Sequence, residues 1–199
     1  MKKNIALLLF TALIIAGCGG TTDSSDNSNT NDKNDKSGNI KGAYNLWEYM
    51  VPSSDITNSF IETKAGVTNS YKTTYTTTGN QVKETSDYAP NEQTIYVKKS
   101  DRISITFEKQ DESSNIFTTN GSYDLHLTAN IGDTVTIKDS TCKLKAHYDN
   151  KTINNKSFSD IIEINCDGKP GYYQKGVGEV AQLDTVDIKS SKRITTLSN

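Results

Sequence analysis

This chain of 199 residues has few aliphatic side chains, only two histidines and no long apolar run. Ile, Leu, Val and Phe make up 33 of the 182 residues from Cys18 onward, which is close to the proportion at which chains stop folding. Ten tyrosines and Trp47 supply large half-buried faces of the kind that pleated sheets use. The composition therefore predicts a folded, β-rich chain.

The one apolar run, from Ile5 to Ile15, is too short to cross a bilayer, which takes about 20 residues. It follows Lys2 and Lys3, and a short apolar segment behind a basic N-terminus is typical of a removable signal peptide. We therefore predict that residues 1–17 are a signal peptide rather than a permanent anchor.

Ile15, Ala16, Gly17 and Cys18 close this segment and resemble the lipobox of bacterial lipoproteins. The resemblance implies cleavage before Cys18 and lipidation of its thiol, and two or more acyl chains give firm membrane attachment. An ordinary secretory signal followed by a chance cysteine is the alternative. Gly19, rather than aspartate, follows the cysteine. We expect the protein in the cell envelope, and at the outer membrane if the host is Gram-negative.

The segment Gly19–Asn39 contains no Ile, Leu, Val, Phe, Tyr or Trp. Such a segment cannot bury enough apolar surface to offset the entropy of ordering, so a flexible tether is expected, with a reach of roughly 25 Å. The predicted organisation is a signal peptide at 1–17, a lipidated cysteine and tether at 18–39, and a single β-rich domain at 40–199.

The chain also lacks an excess of positive charge. Without Lys2 and Lys3 it has 20 basic and 24 acidic residues, a formal charge of −4. Nucleic-acid binding proteins present a basic stripe or patch, so no nucleic-acid partner is expected.

Strand patterns dominate the rest of the chain. Thr73–Thr78, the pair Gly79–Asn80 and Gln81–Lys83 are typical of a hairpin, and Ile103, Ile105 and Phe107 alternate onto one face. Further strands are predicted at Ile95–Val97, Tyr123–Leu127, Val135–Ile137, Cys142–Tyr148, Phe158–Cys166, Tyr172–Val180 and Thr185–Ile188. The predicted fold class is mainly β, an antiparallel meander forming a curved sheet, a half-barrel or a sandwich.

Helical periodicity is weak after the signal segment. Tyr44–Met50, which contains Trp47, is compatible with one helical turn ending before Pro52. An edge strand is the alternative for this segment.

Two cysteines follow Cys18, and an even number in an exported chain favours a disulfide. If their strands form a hairpin around Asp149–Ser159, one register joins the sulfurs and places both apolar rows on one side. That register predicts the pairs Cys142–Cys166, Leu144–Ile164 and Ala146–Ile162. A metal or redox pair is the alternative, although the chain has no CxxC spacing.

Residues 158–164, followed by Tyr-Tyr-x-x-Gly-Val-Gly-x-Val at 172–180, resemble the C-terminal meander of uncharacterised bacterial envelope lipoproteins. The resemblance implies an antiparallel sheet protein of the envelope and carries no established activity. Gly176 and Gly178 are expected in a strand, at a bulge or a close crossing that excludes a Cβ. A phosphate-binding loop would need longer glycine spacing and a following helix.

Catalytic patterns are scarce. His126 and His147 each alternate away from apolar neighbours, so both are expected on the polar face of a strand. The chain contains no Gly-x-Ser-x-Gly sequence, and its carboxylates show no paired or EF-hand spacing. We predict no catalytic residue, no metal ligand and no cofactor.

Three functions are compatible with these patterns. The favoured one is a non-enzymatic envelope protein, attached to the membrane through Cys18, whose β domain binds a protein, glycan or lipid or has a structural role. The first alternative is a lipid or lipoprotein carrier, or an assembly factor, with an apolar concave face. The second is a hydrolase, which would require a cleft that brings His126 or His147 near a serine and a carboxylate.

Overall fold

The computed structural model describes residues 42–64, 67–184 and 193–197, and most of them lie in strands. The single helix of these residues is one short turn, α1. The elements are β1 (Tyr44–Asn45), α1 (Leu46–Met50), β2 (Ile56–Lys64), β3 (Val67–Thr78), β4 (Gln81–Ser86), β5 (Glu92–Lys98), β6 (Arg102–Gln110), β7 (Phe117–His126), β8 (Thr128–Ala129), β9 (Thr134–Ile137), β10 (Ser140–Ile153), β11 (Lys156–Cys166), β12 (Lys169–Gln174), β13 (Gly178–Asp184) and β14 (Arg193–Leu197).

Twelve strands form one antiparallel sheet in the order β7-β6-β5-β4-β3-β2-β14-β13-β12-β11-β10-β9. It consists of two meanders, β2 to β7 and β9 to β13, and β14 joins them by pairing with β13 and β2. The edge strands β7 and β9 lie close together, so the sheet is strongly curved, but no ladder joins them within the described residues. The predicted mainly β, antiparallel meander is confirmed.

Three clusters of apolar side chains fill the inside of the fold. The largest packs Ile103 and Ile105 of β6 against Leu144 of β10, with Ile162 and Ile164 of β11. Tyrosines extend this aliphatic set, and Tyr44, Tyr49, Tyr75 and Tyr172 are all buried. Because each aromatic side chain buries about 150–250 Å², the tyrosines make up for the shortage of aliphatic residues.

Several local predictions are confirmed. β3 and β4 form the expected hairpin with its turn at Gly79–Asn80, where Gly79 has a φ of +62°. Tyr44–Met50 contains the expected helical turn, preceded by the two-residue strand β1, which pairs with β8. The Asn45 side chain caps this turn by accepting a hydrogen bond from the Trp47 backbone N–H at 3.2 Å.

Two strand predictions are wrong in their limits. Tyr172–Val180 is not one strand, because a turn at residues 175–177 separates β12 from β13, and Gly176 lies in that turn with a φ of +76°. The loop expected around Asp149–Ser159 is mostly strand, because Asn154 and Asn155 both adopt positive φ and turn the chain within two residues. The predicted strand Thr185–Ile188 lies outside the described residues.

Gly178 lies where α1 and its C-terminal connection pack against β13. A Cβ added at this glycine would lie 3.3 Å from Pro52 Cδ and 3.5 Å from the Met50 carbonyl oxygen. The predicted close crossing at this position is therefore confirmed. At Gly178, strand β13 packs closely against Met50 and Pro52.

Gly178→Ala is expected to destabilise the fold more than Gly168→Ala. Both glycines have a similar φ, +88° and +82°, so both variants carry the cost of a left-handed residue, about 1 kcal/mol. Gly168 has no heavy atom near the added Cβ, whereas Gly178 faces Pro52. Urea unfolding of the two variants measures the difference, and equal losses would contradict the close packing on Pro52.

Cys142 and Cys166 are directly opposed across β10 and β11 and form a disulfide bond, with a Cα–Cα distance of 4.1 Å. Leu144 and Ile164 are also paired, as the predicted register requires.

Within the described residues no helix has the length and apolar character needed to cross a membrane.

Candidate functional site

The site begins with a bulge in β10. After the Leu144–Ile164 pair the register shifts at Lys145, so that Ala146 lies opposite Glu163 and His147 opposite Ile162. Because side chains alternate along a strand, one extra residue turns the following ones to the other face. The predicted Ala146–Ile162 pair is therefore wrong.

Because of the same bulge, the prediction that His147 lies on the polar face of its strand is wrong. Its side chain is only 3% exposed and faces the interior, rather than the polar face of the strand. His126, paired with Arg102 at the end of β7, is exposed, as expected.

His147 is held by a carboxylate of the neighbouring strand. Its Nε2 lies 2.8 Å from Oδ1 of Asp160 in β11, and the Tyr49 hydroxyl donates to the same oxygen at 2.7 Å. Asp160 adopts a φ of +49°, and its carbonyl oxygen accepts a hydrogen bond from the Lys175 backbone N–H. Strand β10, helix α1 and the turn after β12 thus all bond to one residue of β11, Asp160.

Two tyrosines, Tyr44 of β1 and Tyr49 of α1, enclose the imidazole. The Tyr44 ring stacks on His147 with a centroid distance of 5.2 Å and an interplanar angle of 23°. The Tyr49 ring meets it nearly edge-on, at 6.3 Å and 84°. These contacts fix the plane of the imidazole and exclude water from its face.

The carboxylate and tyrosines have shifted acidities. Burial raises the pKa of Asp160, but hydrogen bonds from His147 and Tyr49, together with the charges of His147 and Lys175, outweigh it and leave the pKa below its ordinary value. Burial, strengthened by the hydrogen bond to Asp160, raises the pKa of Tyr49, and burial also raises the pKa of Tyr44. At neutral pH the site therefore combines an ionised carboxylate with two protonated phenols.

Two polar atoms of this cluster are buried without a hydrogen-bond partner within the described residues. They are Nδ1 of His147 and the hydroxyl of Tyr44. Because a carboxylate can only accept, Nε2 donates to Asp160. When the imidazole is neutral, Nδ1 is then an acceptor. Its nearest charged neighbour is the Asp149 carboxylate, 4.0 Å away and beyond hydrogen-bond distance.

These side chains line an open cleft of about 610 Å³. Its walls include the carboxylates of Glu48, Asp149 and Asp160 and the ammonium of Lys175. Lys175 lies 3.0 Å from Glu48, so its charge is already paired across the cleft. The remaining lining residues are Gly42, Ala43, Tyr44, Asn45, Tyr49, His147 and Ser159.

A second, smaller cavity of about 180 Å³ lies between β4, β5 and β6. Glutamates 84, 92 and 108 line it, and Glu84 accepts a hydrogen bond from Tyr96 at 2.5 Å. Burial raises the pKa of Glu84, although this hydrogen bond opposes the shift. Its lining is thus strongly polar.

The predicted anchor residues Ile15, Ala16, Gly17 and Cys18 lie outside the described residues. Cys142 and Cys166 meet on the same strand pair that carries His147 and Asp160. Sequence reasoning missed Tyr44, Tyr49 and Asp160, because Tyr49 and Asp160 are 111 residues apart and no local pattern links them.

The residues that the structure describes include no group of three or more histidine, cysteine, aspartate or glutamate side chains suited to a metal ion. Ser159 lies in the cleft with His147, but no hydrogen bond joins the two in this part of the chain. The geometry is thus that of a polar cleft built on a rigid strand pair.

The fold and the cleft define this chain as a mainly antiparallel β protein with a polar cleft beside β1 and α1. No protein-family model matches the sequence, and neither the curated proteins nor the solved structures include a significant match. The functional argument therefore depends on the residues of the chain itself.

Asp160→Asn is expected to lower the stability of the fold at neutral pH. The stability of the variant should also fall less than that of the wild type as the pH is lowered. The folded-state pKa of Asp160 is below the ordinary value of 3.8. The ionised carboxylate therefore contributes fully to the free energy of unfolding above pH 3.8, and this contribution is lost as the pH falls through the lower folded pKa. Asparagine tolerates the positive φ at this position, so the change tests the charge.

Thermal unfolding of the wild type and the Asn variant between pH 7 and pH 2.5 measures this effect. The difference between the two melting temperatures should shrink as the pH falls below 3.8. Asp149→Asn is the matched control, because that carboxylate is 58% exposed and outside hydrogen-bond distance of His147. A gap between wild type and Asp160→Asn that is as large at pH 2.5 as at pH 7 would show that the ionised carboxylate is not the cause.

Proposed function

We propose that this protein is a lipid-anchored envelope protein whose β domain binds a ligand in the His147 cleft without chemical conversion. The observation that carries the binding function is the pair of buried, unpartnered polar atoms on the cleft wall, Nδ1 of His147 and the Tyr44 hydroxyl. Buried polar groups are normally paired, and a ligand in the cleft would supply the missing partner.

The anchoring part rests on the lipobox resemblance of residues 15–18 and on the apolar-poor segment that follows. Acyl chains on Cys18 would hold the protein at the membrane, and a tether at 18–39 would let the domain reach ligands above the headgroups. With Gly19 after the cysteine, the proposed location in a Gram-negative host is the outer membrane.

The carrier alternative has less support. A lipid carrier needs an apolar concave face large enough for an acyl chain, whereas the described apolar side chains pack in filled clusters. Both described cavities are lined by carboxylates. Burying an ionised carboxylate against an acyl chain is costly, so these cavities favour polar ligands.

Hydrolysis is the second candidate, because the cleft contains His147, Ser159 and Asp160 together. A serine hydrolase needs one imidazole nitrogen on the carboxylate and the other on the serine hydroxyl. In this cleft Nε2 contacts Asp160, while Nδ1 is buried and faces Asp149 instead of Ser159. This arrangement favours binding over catalysis.

A fluorophosphonate probe separates the two functions, since it reacts with activated serines. The purified full chain is treated alongside Ser159→Ala and His147→Gln variants, and peptide mass spectrometry measures labelling at residue 159. We expect wild-type labelling no greater than that of His147→Gln. Labelling of Ser159 that depends on His147 would overturn the non-enzymatic function.

A further inference from the structure

We propose that the His147 cleft binds an organic cation, a ligand that presents a primary ammonium group. This inference deepens the proposed binding function and depends on it. It follows from three features of the cleft: its charge, its balance of hydrogen-bond donors and acceptors, and the spacing of two of its acceptors.

The charge of the cleft is negative. Three carboxylates and one ammonium line it, and the ammonium of Lys175 is paired with Glu48 at 3.0 Å. Lys175 also acts on Asp160, but the cleft still has three carboxylates against one ammonium. Asp149 and Asp160 face the cleft with side chains 58% and 47% exposed. A cationic ligand would compensate them, whereas an anionic ligand would be repelled by both.

The hydrogen-bonding groups are mainly acceptors. Asp160 uses Oδ1 to accept from both His147 and Tyr49. Nδ1 of His147 has no hydrogen-bond partner, and it is an acceptor when the ring is neutral. With the Asp149 carboxylate these make three acceptor groups, and an alkyl ammonium has three N–H donors. The match favours an ammonium over a ligand whose hydroxyls both donate and accept.

The spacing of Asp149 and His147 fits a bridging donor. Their closest atoms are 4.0 Å apart, too far for a direct hydrogen bond. Two acceptors bridged by one tetrahedral ammonium lie about 4.6 Å apart when each hydrogen bond is about 2.8 Å. Because the Asp149 side chain is largely exposed, a shift of roughly 0.6 Å would bring the two acceptors to this separation.

A metal ion is a poorer fit to the same charge. The described residues contain no set of three histidine, cysteine, aspartate or glutamate side chains arranged for one. An ammonium needs only hydrogen-bond acceptors in a loose tetrahedral arrangement, and tyrosine rings such as Tyr44 and Tyr49 are favourable neighbours for a cation.

The test uses the full chain, purified in detergent and labelled with ¹⁵N at histidine. The chain has two histidines, so the exposed His126 is an internal control. n-Butylammonium is titrated in parallel with n-butanol, which has nearly the same shape without the charge, and with glucose. We expect saturable shifts of the His147 signals with n-butylammonium alone, while the His126 signals stay unchanged.

Asp149→Asn should weaken n-butylammonium binding at least tenfold, because it removes one of the two exposed carboxylates. Glu92→Gln makes the same charge change at the smaller cavity and should leave binding within twofold. Equal weakening in the two variants would reveal a nonspecific effect of net charge and overturn the inference.

Other outcomes separate this inference from the function on which it depends. Saturable binding of glucose but not of n-butylammonium would overturn the ammonium ligand and leave the binding function standing. If none of the three probes shifts the His147 signals, a water molecule alone lies between Asp149 and His147. That result would also overturn the ammonium ligand. Ser159 labelling would instead contradict the proposed function itself.

Discussion

Cys18→Ala is expected to abolish incorporation of a fatty-acid label into this protein in growing cells. In bacterial lipoproteins the thioether forms on the lipobox cysteine and processing depends on that lipid. If residues 15–18 are a lipobox, the variant should lose both modifications. It should therefore retain residues 1–17 and migrate as a heavier precursor. Metabolic labelling with an alkyne fatty acid, followed by intact-mass measurement, checks both changes.

The matched control removes the other two cysteines. A Cys142→Ala/Cys166→Ala variant keeps Cys18 and should incorporate the label as the wild type does. A wild-type chain that is shortened but unlabelled would contradict the lipobox interpretation, because an ordinary secretory signal is cleaved without lipidation.

Loss of the disulfide is expected to cost about 3 kcal/mol of folding free energy. The bond joins residues 24 positions apart, and closing a loop of that size restricts the unfolded chain by about this amount. The effect is large for a fold whose core contains few aliphatic residues. For a chain of this length it corresponds to a fall in Tm of roughly 6–12 °C.

Thermal unfolding of the Cys142→Ala/Cys166→Ala variant measures this loss. The reduced wild type is the control, because it lacks the covalent bond but keeps both side chains. Both should melt at similar temperatures, well below the oxidised wild type. An oxidised wild type that melts with the reduced protein would contradict a stabilising disulfide.

Local strand pairing was predictable because it follows from patterns of adjacent residues. The Gly79–Asn80 turn and the Cys142–Cys166 register both depend on alternation over a few positions, and the structure contains both. The placement of β14 between β13 and β2 was not predictable, since strand order depends on contacts between distant segments.

The cleft was not predictable for a related reason. A single extra residue at Lys145 reverses the facing of His147, and no sequence signal marks this bulge. Tyr49 reaches Asp160 because several contacts bring α1 against the sheet, among them the packing of Pro52 on Gly178 and the hydrogen bond from Gly176 N–H to the Glu48 carbonyl. Gly178 was recognisable as a close crossing, but its partner was not.

The most direct test of the binding cleft is the ¹⁵N spectrum of His147 in the ligand-free full chain at neutral pH. We predict that Nε2 carries a proton that is donated to Asp160, and that Nδ1 lacks a strong hydrogen bond. A ring protonated at Nδ1 alone, or one whose signals coincide with those of the exposed His126, would contradict the cleft as described and the binding function that depends on it.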